Sequence, residues 1–142
     1  MLADAALWRG RAVTVYGAQT ARQHAYLFEQ ALITRHIPFA IVFDQHLAVA
    51  DQYRVLIVPD VCMMTDDQCA RLCAYVADGG ALVITNDTAR YDAWGRERPG
   101  RLAPLFAGAG RPESGRIYAY GKGRTVYVNI QSPDPFVDGC RP

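Results

Sequence analysis

Two textures alternate along the early part of the chain: short runs that are apolar throughout, and longer stretches in which apolar residues return every three or four positions. Arg54–Pro59 (RVLIVP) is too short for a helix and rich in β-branched residues, which predicts a buried strand. Thr65 then reads as a helix cap, with Gln68 at the spacing of a capping box. Asp66 and Asp67 fall in the first turn, where carboxylates suit the positive end of the helix dipole. Cys69, Leu72, Cys73 and Val76 share one face of that helix. Gly79 and Gly80 end it, and Ala81–Thr85 (ALVIT) is a second apolar strand. A strand–helix–strand unit with two apolar strands belongs to a parallel sheet covered on both faces.

The flanking segments extend this pattern. Met1–Gly10 reads as a loose lead-in, with Leu7 and Trp8 covering an edge of the core, and Ala12–Tyr16 (AVTVY) as the first strand. A helix is predicted from Gln19 or Thr20 to about Arg35, with Ala21, Ala25, Phe28 and Leu32 as its inner stripe. Pro38 stops it, because the residue before a proline avoids the helical region. Phe39–Phe43 (FAIVF) is the next strand, and Asp44–Gln52 a loop or short helical turn. Ala89–Pro112, rich in Arg, Gly and Pro, reads as a long surface excursion with a short helix around Leu102–Phe106. Arg116–Tyr120 and Thr125–Ile130 form a hairpin about Gly121-Lys122-Gly123. These elements predict a single α/β domain over residues 1–142, a three-layer sandwich on a mainly parallel sheet. Its core runs from about 11 to 130, with an extended tail at 131–142.

Composition narrows the function classes. A 51% hydrophobic, 20% charged chain buries a full core rather than remaining disordered. A net charge of +1 gives no electrostatic footprint for nucleic acid or an anionic membrane. No apolar run approaches the roughly 20 residues of a membrane span, and no signal peptide is visible, so the expected location is cytoplasmic. Cys69 and Cys73 fit reduced core thiols, and His24, His36 and His46 show no ligand spacing with Cys62, Cys140 or the carboxylates, so no metal site is expected.

Three chemistries fit parts of the chain. A nucleophile elbow needs a Ser or Cys on a strained strand-to-helix bend, and Ile84-Thr85-Asn86-Asp87-Thr88 offers neither. Cys62 follows a strand but lacks the small neighbours of such a turn, leaving a divergent amidotransferase-like hydrolase as a minor alternative. Tyr16-Gly17-Ala18-Gln19-Thr20 resembles the Y-G-S-Q-T-G phosphate loop of flavodoxin-like reductases, which implies an FMN or nucleotide binder. Ala18 and Ala21 depart from that pattern, and a plain turn capped by Gln19 or Thr20 is the simpler reading. Asp44, Asp60, Asp87 and Asp92 could supply a glycosidase's carboxylate pair, but a catalytic barrel takes about 250 residues and does not fit here. If a small ligand binds, the carboxyl ends of the strands are the default place, which selects Gln19, Asp60, Asn86, Asp87 and Thr88.

The central stretch YRVLIVPDVCMMTDDQCARLCAYVADGGALVITNDTARYDAWGRERP…LAPLF, followed by GKGRTVYV, resembles the trimerisation domain of family forty-two β-galactosidases and related glycoside hydrolases. His36-Ile37-Pro38-Phe39 stands where the family often has Gly-Ile-Pro-Phe, and His enters the left-handed region more readily than most residues. The likeness runs from about Arg11 to Ile130. It implies a class I glutamine amidotransferase-like fold of flavodoxin-like topology that lacks the catalytic Cys and His of that fold, and it implies no cofactor. The expected function is a non-catalytic association or accessory domain of a carbohydrate-active protein. Its expected partners are further copies, as a dimer or trimer, or a glycosidase barrel. Tyr91, Trp94, Arg96 and Arg98 are the candidate interface residues, with a solvated loop as the plain alternative.

Overall fold

Parallel pairing of the short apolar runs builds the sheet. The computed structural model describes residues 5–9, 18–109 and 112–131. Its strands are β1 (Ala5–Arg9), β2 (Phe39–Phe43), β3 (Val55–Val58), β4 (Ala81–Thr85), β5 (Ile117–Tyr120) and β6 (Gly123–Val128). They lie in the order β2-β1-β3-β4-β6-β5. Every neighbouring pair is parallel except the β5–β6 hairpin. Two helices, α1 (Ala18–Thr34) and α2 (Asp66–Ala77), make the crossovers β1–α1–β2 and β3–α2–β4. The two crossovers step outward in opposite directions from the β1/β3 pair, which is the doubly wound, flavodoxin-like arrangement.

The helices lie on opposite faces, as the sandwich expectation requires. On one face α1 packs Ala25 and Leu32 against Leu7 of β1 and Ile57 of β3. On the other, Cys69, Leu72, Tyr75 and Val76 of α2 meet Ala6, Trp8, Leu56, Val58, Leu82 and Ile84. A 3₁₀ segment, Asp44–Gln52, adds Leu47 and Ala50 to this second face, and a shorter one, Ala103–Phe106, adds Leu105 and Phe106. Both helix ends are local chemistry read correctly from sequence. Thr65 Oγ1 accepts from the Gln68 N–H at 3.1 Å and the Thr65 N–H donates to Gln68 Oε1 at 2.9 Å, a complete capping box. Beyond α1, His36 takes the left-handed conformation (φ 54°) in place of a glycine.

The Gly121-Lys122-Gly123 turn has a tertiary reason as well as a local one. The Lys122 N–H donates to the Ala77 carbonyl at 2.9 Å, satisfying an orphan acceptor at the end of α2. The approach is so close that a methyl group on Gly123 would stand 2.2 Å from the Val76 carbonyl oxygen. Only a residue without a side chain fits there.

One expectation is corrected. The first strand is Ala5–Arg9, inside the segment expected to be a loose lead-in, so the sheet begins at Ala5 rather than near residue 11. Ala12–Tyr16, favoured by its β-branched content, lies outside the described residues, as does nearly all of the expected tail. What qualifies Ala5–Arg9 is side-chain volume on alternate faces. Leu7 fills the α1 side and Trp8 the α2 side, both at 0% exposure, while Ala5 and Ala6 leave room for their neighbours. The Trp8 indole N–H donates to Asp44 Oδ1 at 2.8 Å, so its polar atom is also satisfied. Trp8→Ala is therefore expected to lose about 3–5 kcal/mol of stability, read as a fall in urea midpoint at unchanged slope. A change near zero would return Trp8 to the lead-in reading.

Candidate functional site

The carboxyl ends of β3 and β4 bring together four of the five residues expected to form a ligand site. Asp60 follows β3 in the left-handed region (φ 50°) and is buried. Its Oδ1 accepts the Asp87 backbone N–H at 3.0 Å and the Cys62 thiol at 3.4 Å. His24, on the inner side of α1, sets Nδ1 3.2 Å from Thr85 Oγ1 and 4.0 Å from Asp60 Oδ2. The Thr88 hydroxyl lies 2.7 Å from the Thr85 carbonyl and 3.3 Å from that of Val58. Asn86, also left-handed (φ 42°), clamps the chain leaving β6. Its Nδ2 donates to the Ile130 carbonyl at 2.9 Å, and its Oδ1 accepts the Ile130 N–H at 2.8 Å. Asp87 Oδ1 accepts from the Arg90 guanidinium at 3.3 Å. These groups are largely spent on one another and on backbone. The fifth candidate, Gln19, lies in the first turn of α1, and its side chain is outside the described residues, as is Gly17 of the phosphate-loop reading.

Electrostatics at this edge oppose nucleophilic catalysis. Burial pushes the Cys62 thiol far above its ordinary range, and the Asp60 and Asp87 carboxylates push it further. The nearby imidazole faces Thr85 and Asp60, and no hydrogen bond joins it to Cys62. Burial lowers the His24 pKa below its ordinary 6.5, and the opposing pull of Asp60 does not cancel this. Asn86, at the end of β4, is left-handed, but it carries an amide rather than a hydroxyl or thiol and leads into a turn rather than a helix. The hydrolase reading through Cys62 therefore has neither an activated thiol nor a base. Among the described residues no group of three or more His, Cys, Asp or Glu side chains could hold a metal ion. His24 and Thr85 were missed by sequence reading. The signal for His24 was its spacing of four and eight residues from Phe28 and Leu32 on the inner face.

The excursion after β4 is a built surface rather than a loose loop. Tyr91 bridges Met63 and Glu97, accepting the Met64 N–H at 3.1 Å and donating its own to Cys62 at 2.9 Å. Asp92 is buried, and its Oδ1 accepts the N–H groups of Trp94 (2.9 Å) and Arg96 (3.0 Å), while Oδ2 pairs with Arg96 Nε at 2.9 Å. Burial alone would raise this carboxyl, but those two N–H groups and the guanidinium hold it below its ordinary value. The closed turn lifts Trp94 into solvent at 84% exposure. Arg98 pairs with Asp66 at 2.8 Å. Of the interface candidates, Trp94, Arg96 and Arg98 are exposed, and Tyr91 is half-buried with structural work to do. Sequence reading passed over Arg101, whose guanidinium donates to the carbonyls of Met64 (2.6 Å), Ala89 (2.9 Å) and Tyr91, and to Asp66 Oδ1 at 3.3 Å.

A doubly wound α/β domain with a locked strand edge and a rigid aromatic turn is the class these features define. Residues 8–110 match the beta-galactosidase trimerisation domain family, and the chain belongs to that family. The match ends before the β5–β6 hairpin. No curated protein matches the chain. In fold, the chain is similar to a catalytic mutant of Gan42B, a GH42 beta-galactosidase from G. stearothermophilus, at TM-score 0.74 and 19% identity, covering 98% of this chain and 29% of that one. It is similar to a beta-galactosidase from Rahnella sp. R3 at TM-score 0.64 and 17% identity, covering 89% of this chain and 28% of that one. It is also similar to a beta-galactosidase from Bifidobacterium adolescentis at TM-score 0.62 and 18% identity, covering 74% and 53%. The chain thus spans less than a third of the length of the first of these structures.

Two outcomes follow from the site geometry. Arg101→Met leaves three carbonyls without their shared donor, and the expected cost is about 2–4 kcal/mol. Limited proteolysis should show new cleavage between residues 89 and 101; an unchanged digest would mean that the excursion is held by other contacts. For His24, a folded-state pKa below 6.5 means that the unfolded chain takes up the proton first. Its contribution is complete above pH 6.5 and is lost as pH falls. Urea melts of His24→Asn against the parent, at about pH 7.5 and about pH 5.5, should show a smaller loss in the variant.

Proposed function

We propose that the chain is a non-catalytic association domain of a GH42-like β-galactosidase, which holds copies together as a dimer or trimer beside a glycosidase barrel. The observation that carries this reading is family membership over residues 8–110. Fold similarity across 98% of the chain, to only 29% of a GH42 beta-galactosidase, supports it, as this is the match expected of a domain that accompanies a barrel. The strand-end groups support it as well: a crevice whose polar side chains are engaged internally offers little to a substrate. An exposed Trp94 on a turn that also presents Arg96 and Arg98 has the composition of an interface anchor. A cytoplasmic location accords with the thiols of Cys62, Cys69 and Cys73, all unpaired. Among the described residues no helix is long and apolar enough to cross a membrane.

The test is molar mass by light scattering after size exclusion, across a wide concentration range. A mass of two or three times the 15.7 kDa chain is expected. A single-chain mass at every concentration would overturn self-association by the domain and leave the barrel as its partner.

A further inference from the structure

The two helices are fastened to the sheet by different means. Beneath α2 the apolar core runs from Trp8 and Leu56 through Leu72 and Val76 to Leu105 and Phe106. The Tyr75 hydroxyl, which donates to the Tyr53 carbonyl at 2.9 Å, and the Arg101–Asp66 pair add polar ties. Beneath α1 the cluster is small: Leu7, Ala25, Leu32 and Ile57 are its buried members among the described residues. Tyr26, Leu27 and Ile33 of the same helix stand in solvent. His24 supplies a polar tie from α1 to the strand ends, through the 3.2 Å contact with Thr85 Oγ1.

That tie suits a neutral imidazole. His24, Thr85 and Asp60 are all buried. From the end of β3, Asp60 faces the ring with Oδ2 4.0 Å from Nδ1, beyond hydrogen-bonding reach. Its Oδ1 is engaged by the Asp87 N–H and the Cys62 thiol. A proton added to the ring would bury a cation without a hydrogen-bonded counter-ion, which is costly. β1 and β3 present Leu7 and Ile57 to this layer, both apolar. On α1 itself Tyr26 is exposed, and Glu29, five positions on, lies on another side of the helix.

We propose that α1 is an acid-released flap: a proton on His24 frees the helix from the strand ends while α2 and the sheet stay folded. The sign agrees with burial, which lowers the His24 pKa below 6.5 against the pull of Asp60. The open helix, with its imidazole in water, takes up the proton first. Closure therefore holds above pH 6.5 and weakens as pH falls. Opening uncovers Leu7 and Ile57, and release of one weakly held element is the usual form of sub-global unfolding. The device works within one chain and needs no association with a second.

Amide hydrogen exchange at about pH 7.5 and about pH 5.5, corrected for the intrinsic exchange rate, tests this. In the parent chain the α1 amides are expected to open up to about 10-fold more at the lower pH. That is the ceiling for one proton taken up by a group whose open-state pKa is 6.5. The α2 amides are expected to keep their protection. His24→Asn, whose amide can still bond the Thr85 hydroxyl, is expected to abolish the α1 difference. Asp60→Asn removes the carboxylate that draws a proton to the closed ring, so its acid response is expected to be as large as the parent's or larger. If α1 and α2 lose protection together, the transition is global and the flap is overturned. If α1 exchanges alike at both pH values in the parent, or its acid response survives His24→Asn or disappears in Asp60→Asn, His24 is not the trigger and the inference falls.

Discussion

One guanidinium organises the half of the molecule that faces outward. The side chain of Arg101 is only 10% exposed. It reaches back to gather carbonyls from Met64, Ala89 and Tyr91 and the carboxylate of Asp66. Irregular backbone leaves acceptors that no neighbouring strand can satisfy, and a buried unpaired carbonyl is costly. Five donors in a planar fork can collect several such acceptors at once, which a lysine ammonium does with less geometric control. Through this contact the excursion is fastened to the start of α2, and α2 is fastened to the sheet. The rigid aromatic turn is therefore a surface of the core rather than an appendage to it.

The strand edge obeys a related economy of polar groups. A doubly wound sheet offers a crevice at the carboxyl ends of its strands, and catalytic members of such folds leave polar side chains unspent there. Here Asp60 accepts from Asp87 and Cys62, Asn86 holds Ile130, and the Thr88 hydroxyl turns to backbone carbonyls. The left-handed conformations at Asp60 and Asn86 carry strain of the kind found at active sites. In this chain those bends support contacts between strand ends.

The sequence made the centre of the molecule legible because its signals are local. The Thr65–Gln68 capping box, the acidic first turn of α2 and the closing glycines act within a few residues, and the Asp66–Ala77 helix follows from them. The placement of Asp60, Asn86, Asp87 and Thr88 at one edge was also readable, since parallel strands end on the same side. Their mutual bonding was not, because it depends on two unusual φ angles. β1 escaped for the opposite reason: Ala-Ala-Leu-Trp has little intrinsic strand preference, and its claim rests on how an indole and two small residues fill the space between layers. Arg101 sits among Arg, Gly and Pro residues that read as solvated, and its burial depends on carbonyls whose direction no periodicity records. Tyr91, a candidate contact residue, is half-buried and bridges Met63 and Glu97 through its backbone, which its sequence neighbours did not announce.

The glycine turn on α2 bears on the order in which the chain folds. The last helical turn is finished by the Lys122 N–H, a donor that arrives from far downstream, after the whole excursion has been closed. Closing so long a segment carries an entropic cost that local helix formation does not. The first turn of α2 can therefore form early under its own cap, while its last turn waits for the hairpin. A residue with a side chain at Gly123 would leave that last step without a place to happen, so the hairpin and the end of α2 form one cooperative unit although the sequence separates them.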